Sequence, residues 1–242
     1  MTENAKGETS HDTIRDFYDS EYYSNLEIQG EGRLPWHCKM VGRRIGDVTG
    51  KQVLDIACGT GEWLGFFRYR GAAAVAGIDL SRKAIDVCTR RLPGGEFHCG
   101  PAESLPFADQ RFDVITCMGA LEHFLDKPRA LDEMRRVAKP DAVFLILVPI
   151  AGFLTRRLGL YGGTHQVDAR EDVLELEEWD RLLHDAGLTV VARWRDLHPV
   201  SWSWIKQGSP LIWPIRAAQA LALAVWPVRW QYQVYHFCKL RT

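Results

Sequence analysis

The chain predicts a doubly wound α/β fold with a mostly parallel sheet, and three observations carry that reading. Short β-branched runs alternate with helical segments from Lys51 to Val148. Several of those runs are continuously apolar instead of alternating, the mark of strands covered on both faces. The first run ends on two closely spaced glycines, Gly59 and Gly61, directly before a helical pattern.

The elements follow in order. QVLDIAC (52–58) is a strand and EWLGFFRYRG (62–71) a helix closed by Gly71. AAAVAGIDL (72–80) is the second strand. Ser81 caps the next helix, SRKAIDVCTRRL, whose Ala84, Ile85 and Cys88 share one face. EFHCG (96–100) and RFDVITCM (111–118) are the third and fourth strands. PRALDEMRRVA (128–138) is a helix with proline in its first turn, ending before Pro140. DAVFLILVP (141–149) is a fifth strand, too apolar to face water on either side. After it come an amphipathic helix at 175–186, stopped by Gly187, a strand at 188–194 and a last strand at 231–240. Residues 10–46 predict two helices, with the aromatic cluster FYDSEYY (17–23) at the first.

These elements make one domain overall: an N-terminal helical cap at 1–46, a ligand-binding core at 47–195, a tryptophan-rich insertion at 196–230 and a closing strand at 231–242. The insertion admits three readings: a lid over an apolar substrate, a membrane-interface helix, or plain core. Residues 210–228 approach the length of a bilayer span, but Arg216 and Gln219 interrupt them. A central arginine costs roughly 2.5–3.5 kcal/mol on insertion scales, which argues for peripheral contact at most.

Composition narrows the function. With 242 residues, 25% charged, 46% hydrophobic and a net charge of -1, no global field favours nucleic acid. The six cysteines (Cys38, Cys58, Cys88, Cys99, Cys117 and Cys238) show no C-x-x-C or zinc spacing, so reduced thiols and a cytoplasmic location are expected, peripheral to the membrane if residues 210–228 touch lipid. The polar, acidic start lacks a secretory signal pattern. No metal-ligand constellation is expected.

In open α/β sheets, ligands lie outside the carboxyl ends of the strands where strand order reverses. Gly59 and Gly61 permit a tight turn and a close ligand, with free N–H groups at the helix start. Asp79 ends the second strand about 20 residues on, where an acid binds the ribose hydroxyls of a nucleoside. A dinucleotide site wants a third glycine three positions after Gly61, and Leu64 stands there. Asp55 beside the turn would repel a pyrophosphate but attract an ammonium or sulfonium.

VLDIACGTG, GIDLS, AESLPF, RFDVITCMGALEH and RALDEMRRVAKPDAVFLILVP together resemble the successive motifs of class I S-adenosyl-L-methionine-dependent methyltransferases, over about residues 45–150. The resemblance implies a Rossmann-like, seven-stranded sheet and S-adenosyl-L-methionine as cofactor, with S-adenosyl-L-homocysteine as product. It also implies site residues. Asp55, Ala57, Gly59 and Gly61 would surround the methionine half, Asp79 the ribose and Leu80 the adenine. Ala102 and Glu103 would lie at the adenine edge, with Met118 and Gly119 beside the methionine. The family often has an aspartate before Ala-Glu, and Pro101 occupies that position here.

GGTHQ (162–166), taken with TCMGALEH, is similar to ubiquinone-type O-methyltransferases. The expected reaction is methyl transfer to a small apolar or aromatic acceptor, most simply at oxygen. His123 and His165 are the candidate bases. Tyr22 and Tyr23 would close over the cofactor or pack onto the sheet. Two other readings stay open: a non-catalytic cofactor-binding or membrane-associated module, and a nicotinamide-dependent oxidoreductase, which Leu64 disfavours. The oligomeric state is not legible.

Overall fold

The computed structural model describes residues 10–23, 34–153, 171–206 and 208–241. Its centre is a seven-stranded sheet of order β3-β2-β1-β4-β5-β7-β6. In chain order the strands are β1 (Gln52–Ile56), β2 (Ala74–Asp79), β3 (Glu96–Cys99), β4 (Phe112–Met118), β5 (Ala138–Pro149), β6 (Leu188–Arg195) and β7 (Gln233–Leu240). All neighbours pair in parallel except β7, which runs antiparallel to both β5 and β6. Strand order reverses between β1 and β4, the switch point where the glycine turn sits.

The continuous hydrophobic runs are explained by burial on both faces. Successive residues on a strand point to opposite sides. Leu54, Ile56, Ile115 and Phe144 therefore join one core, with Leu131 and Met134 of α5 (Lys127–Val137) and Trp179 and Leu183 of α6 (Leu176–Asp185). Val53, Val75, Val114 and Leu145 join the other, beneath α2 (Trp36–Arg43), α3 (Glu62–Tyr69) and α4 (Arg82–Arg91).

Local signals place the helix ends. Ser81 accepts the Ala84 N–H and starts α4, and Asp126 accepts the Arg129 N–H at the start of α5. Glu175 and Glu178 form a reciprocal capping box ahead of α6. The fifth strand begins earlier than its apolar run suggests, at Ala138. Its pairing with β7 starts only at Val143, so Pro140 lies where no ladder bond is needed on that side.

The N-terminal region holds α1 (His11–Phe17), which passes into a π-helical turn at Tyr18–Tyr22. The insertion between β6 and β7 contains α7 (Trp202–Ile205) and α8 (Trp213–Val225). Among the described residues, no helix is long and apolar enough to cross a membrane. The cysteines described are all free thiols, four of them buried.

Candidate cofactor and active site

The carboxyl ends of β1, β2 and β4 open into one pocket under α1. Ala57, Asp79, Leu80, Ala102, Glu103, Met118, Gly119 and His123 all line it. Ala57 stands in the left-handed region (φ 55), a conformation rare for a residue with a side chain. Such backbone strain at a pocket wall is characteristic of ligand-binding turns.

Asp79 organises the turn. One carboxylate oxygen accepts the Gly59 N–H at 2.9 Å and the other accepts the Ser81 N–H at 2.9 Å. Burial raises its pKa, and those two N–H groups pull in the opposite direction. The acid thereby ties the end of β2 to the glycine turn of β1. Each oxygen keeps a further lone pair for a hydroxyl in the pocket.

The two glycines do different work. A side chain on Gly59 (φ 51) would put its Cβ 3.0 Å from the Tyr23 hydroxyl, beside the pocket. On Gly61 (φ 84), a Cβ would lie 2.6 Å from Cys88 Sγ and 3.1 Å from Leu92 Cδ1. Gly61 thus admits the packing of α4.

Asp55 also lies behind the wall, buried and bonded to the Thr116 hydroxyl at 2.5 Å. Burial pushes its pKa up to about 8, against the pull of the Thr116 hydroxyl and with help from Asp79 and Glu62. An incoming cation would stabilise its ionised form. Glu103 is largely committed to structure. One of its oxygens accepts the N–H groups of Leu125 (3.0 Å) and Asp126 (3.2 Å), and the other lies 3.3 Å from His11 Nε2.

His123 closes a 3₁₀ turn, Leu121–His123, directly after β4. Its neighbour Glu122 is only 2% exposed, with its pKa pushed by burial up to about 8 and its Oε2 without a hydrogen-bond partner among the described residues. His165 and the side chain of Tyr22 lie outside what is described.

Sequence reasoning missed part of the wall. His11, Ile14 and Tyr18 of the N-terminal segment line the pocket with Tyr23, as do Phe124 and Leu125 after β4. The signal available was the aromatic cluster at 17–23. Arg15 Nε reaches the Leu80 carbonyl at 3.3 Å, the Lys83 amine donates to the Asp19 carbonyl at 2.7 Å and Ser81 bonds Asp19, holding this segment over the pocket. His37 and His198 form an edge-to-face pair 5.4 Å apart, away from the pocket lining.

The arrangement fits an adenosyl cation. Apolar groups from Ile78, Leu80 and Ala102 suit a purine, the Asp79 carboxylate suits a diol, and Asp55 lies buried behind the turn. Among the described residues, no cluster of His, Cys, Asp or Glu could hold a metal ion.

Comparison with known proteins agrees with the geometry. Residues 54–146 match the methyltransferase domain family. A demethylmenaquinone methyltransferase of Thermotoga maritima is 37% identical over 110 residues, covering 45% of this chain and 48% of the relative. A phthiotriol/phenolphthiotriol dimycocerosates methyltransferase of Mycobacterium ulcerans is 38% identical over 102 residues, covering 41% and 38%. These matches span less than half the length of either relative. The Haloferax volcanii methyltransferase solved with its Trm112 activator superposes with a TM-score of 0.71 over 95% of this chain and 98% of that one, at 20% identity. That last likeness shows the fold. Residues 54–146 thus carry a methyltransferase domain of the class I S-adenosylmethionine-dependent kind, with S-adenosylmethionine as cofactor.

Proposed function

We propose that the protein methylates a hydroxyl of a small, apolar or aromatic molecule. The observation that carries the reading is the convergence of Asp79, Met118, Gly119 and His123 on one pocket at the switch point of the sheet. The two curated relatives are named for apolar acceptors, demethylmenaquinone and phthiotriol or phenolphthiotriol dimycocerosates.

The cofactor supplies an electrophilic methyl on a sulfonium. The chain's own task is alignment, which supplies roughly 7–11 kcal/mol when two reactants are held in line. Asp79 would hold the ribose, and Ala57 and Gly59 would shape the turn beside the methionine half. Asp55 would balance the positive charge of the bound cofactor. Gly61 supports this from behind by seating α4. Ala102 and Glu103 hold the adenine edge, Glu103 through the loop it anchors. His123 takes the proton of the acceptor hydroxyl as general base. His165 is the second candidate for that proton.

We assign the insertion at 196–230 to a lid over the acceptor and place the reaction in the cytoplasm, with peripheral membrane contact through residues 210–228. The test is methyl transfer from labelled S-adenosylmethionine to phenols, hydroquinones and prenylated hydroquinones, with His123→Gln and His165→Gln alongside. Transfer to at least one hydroxyl acceptor is expected, with kcat lowered roughly 10²–10⁴-fold in the variant lacking the base. A protein that binds the cofactor yet methylates no hydroxyl, or in which both variants keep full kcat, contradicts the reading.

A further inference from the structure

The chain separates its charge. After Asp196 there is no acidic residue, and Lys206, Arg216, Arg229, Lys239 and Arg241 all follow it. The last 46 residues thus carry +5 and the first 196 carry -6, within a chain of net -1. Three of these cations, Lys206, Arg216 and Arg229, lie in the insertion, where the molecule also turns apolar groups outward, whereas Lys239 and Arg241 lie at the other end of β7.

α8 is inside-out for a water-facing helix. Its outward face presents Ile215 (68% exposed), Leu221 (67%) and Val225 (75%), and Leu211 (88%) extends that face before the helix. The helix is anchored inward through Ala220, its one buried residue. A surface helix ordinarily points its polar side at solvent, and a contiguous apolar patch marks an interaction face.

Tryptophans hold the cations beside this face. Lys206 Nζ lies 5.4 Å from the Trp202 ring and 5.7 Å from the Trp213 ring. The Arg229 guanidinium lies 5.4 Å over Trp230 and that of Arg216 lies 4.3 Å over Trp204. Tryptophan and cationic side chains around protruding aliphatic ones match a bilayer interface, where rings sit at headgroup level and cations meet lipid phosphates. At 13 residues, α8 is about 20 Å long, suited to lying in the interface and too short to cross it.

We infer that α7, α8 and the turns flanking them dock on an anionic bilayer surface, through Leu211, Ile215, Leu221 and Val225 with Lys206 and Arg229. This deepens the membrane contact named under the proposed function and rests on that part of it, whatever acceptor is methylated. The segment joins the end of β6 to the start of β7, on the same carboxyl-end side of the sheet as the pocket, which lies further across at β1, β2 and β4. Arg195 Nε to the Trp226 carbonyl (2.6 Å) and Gln231 Nε2 to the Leu223 carbonyl (2.7 Å) fix α8 to that edge. Docking therefore sets the acceptor side of the pocket near lipid, where an apolar acceptor would be dissolved.

The test is sedimentation of the full chain with pure phosphatidylcholine vesicles and with phosphatidylglycerol–phosphatidylcholine vesicles. S-adenosylhomocysteine binding in solution checks the fold of every variant. Stronger binding to the anionic vesicles is expected, weakening with salt. Lys206→Glu and Arg229→Glu should each weaken it about fivefold or more. The triple variant Leu211→Glu, Ile215→Glu, Val225→Glu should abolish it while keeping S-adenosylhomocysteine binding. Failure of the parent to sediment with anionic vesicles overturns the inference, as does a folded triple variant that sediments equally. Self-association by sedimentation velocity that the triple variant abolishes, without vesicle binding, would assign the face to a second copy instead. Methyl transfer without vesicle binding would leave the catalytic reading standing and this one refuted.

Discussion

Replacing Gly61 by alanine separates packing from ligand binding at the glycine turn. Gly61 has φ 84, and an added Cβ would sit 2.6 Å from Cys88 Sγ and 3.1 Å from Leu92 Cδ1. A left-handed conformation costs a residue with a side chain about 1–2 kcal/mol. Overpacking against α4 adds about 1–3 kcal/mol. The sum, about 2–5 kcal/mol, corresponds to a fall in Tm of roughly 4–20 °C for a chain of this size. It is read by thermal and urea melts of the ligand-free protein. Adding Cys88→Ala removes the nearest clashing atom, so the double variant should recover part of the packing cost while the backbone part persists. A double-mutant cycle should show coupling of about 1–2 kcal/mol. An unchanged ligand-free melt, with loss confined to cofactor affinity, would refute the reasoning and return Gly61 to the ligand.

Two further outcomes concern buried acids. Asp55 and Glu122 both have folded pKa values pushed by burial to about 8, above their unfolded range of about 4. The folded state therefore binds more protons than the unfolded one between these limits. Stability is highest below about pH 4 with respect to these groups and falls as pH rises towards about 8, by up to ~1 kcal/mol per pH unit for each. Melts of the parent across that window should slope downward relative to Asp55→Asn with Glu122→Gln, and parallel curves would contradict the assignment. Glu103→Ala should cost about 1–3 kcal/mol in urea melts by orphaning the Leu125 and Asp126 N–H groups, whereas Glu103→Gln, which keeps an acceptor oxygen, should cost less. Equal costs would show that those bonds do not hold the loop.

The fold was legible because its signals are local and periodic. Continuous apolar runs such as FLILV, the Ser81 cap and the Gly187 stop each act within a few residues of themselves. The strand order β5-β7-β6 was not legible, since antiparallel pairing of the last strand depends on contacts far apart in sequence. At the site, Asp79 and Met118, singled out at strand ends, are among the residues that line the pocket. Sequence reasoning could not distinguish Gly59, beside the pocket, from Gly61, against α4, because both satisfy the same backbone requirement. Nor could it see that Asp55 faces Thr116, or that α1 brings His11 and Ile14 into the pocket wall. Those facts depend on side-chain direction and long-range docking, which a motif does not encode.

Calorimetric titration with S-adenosylhomocysteine, on the parent and on Asp79→Ala, tests the pocket most directly, with melts confirming that the variant stays folded. The parent should bind, and the variant should lose at least about tenfold in affinity, or ~1.4 kcal/mol. A parent that gives no binding heat, or a folded variant that binds as tightly as the parent, would contradict the placement of the nucleoside between the β1 turn and Asp79.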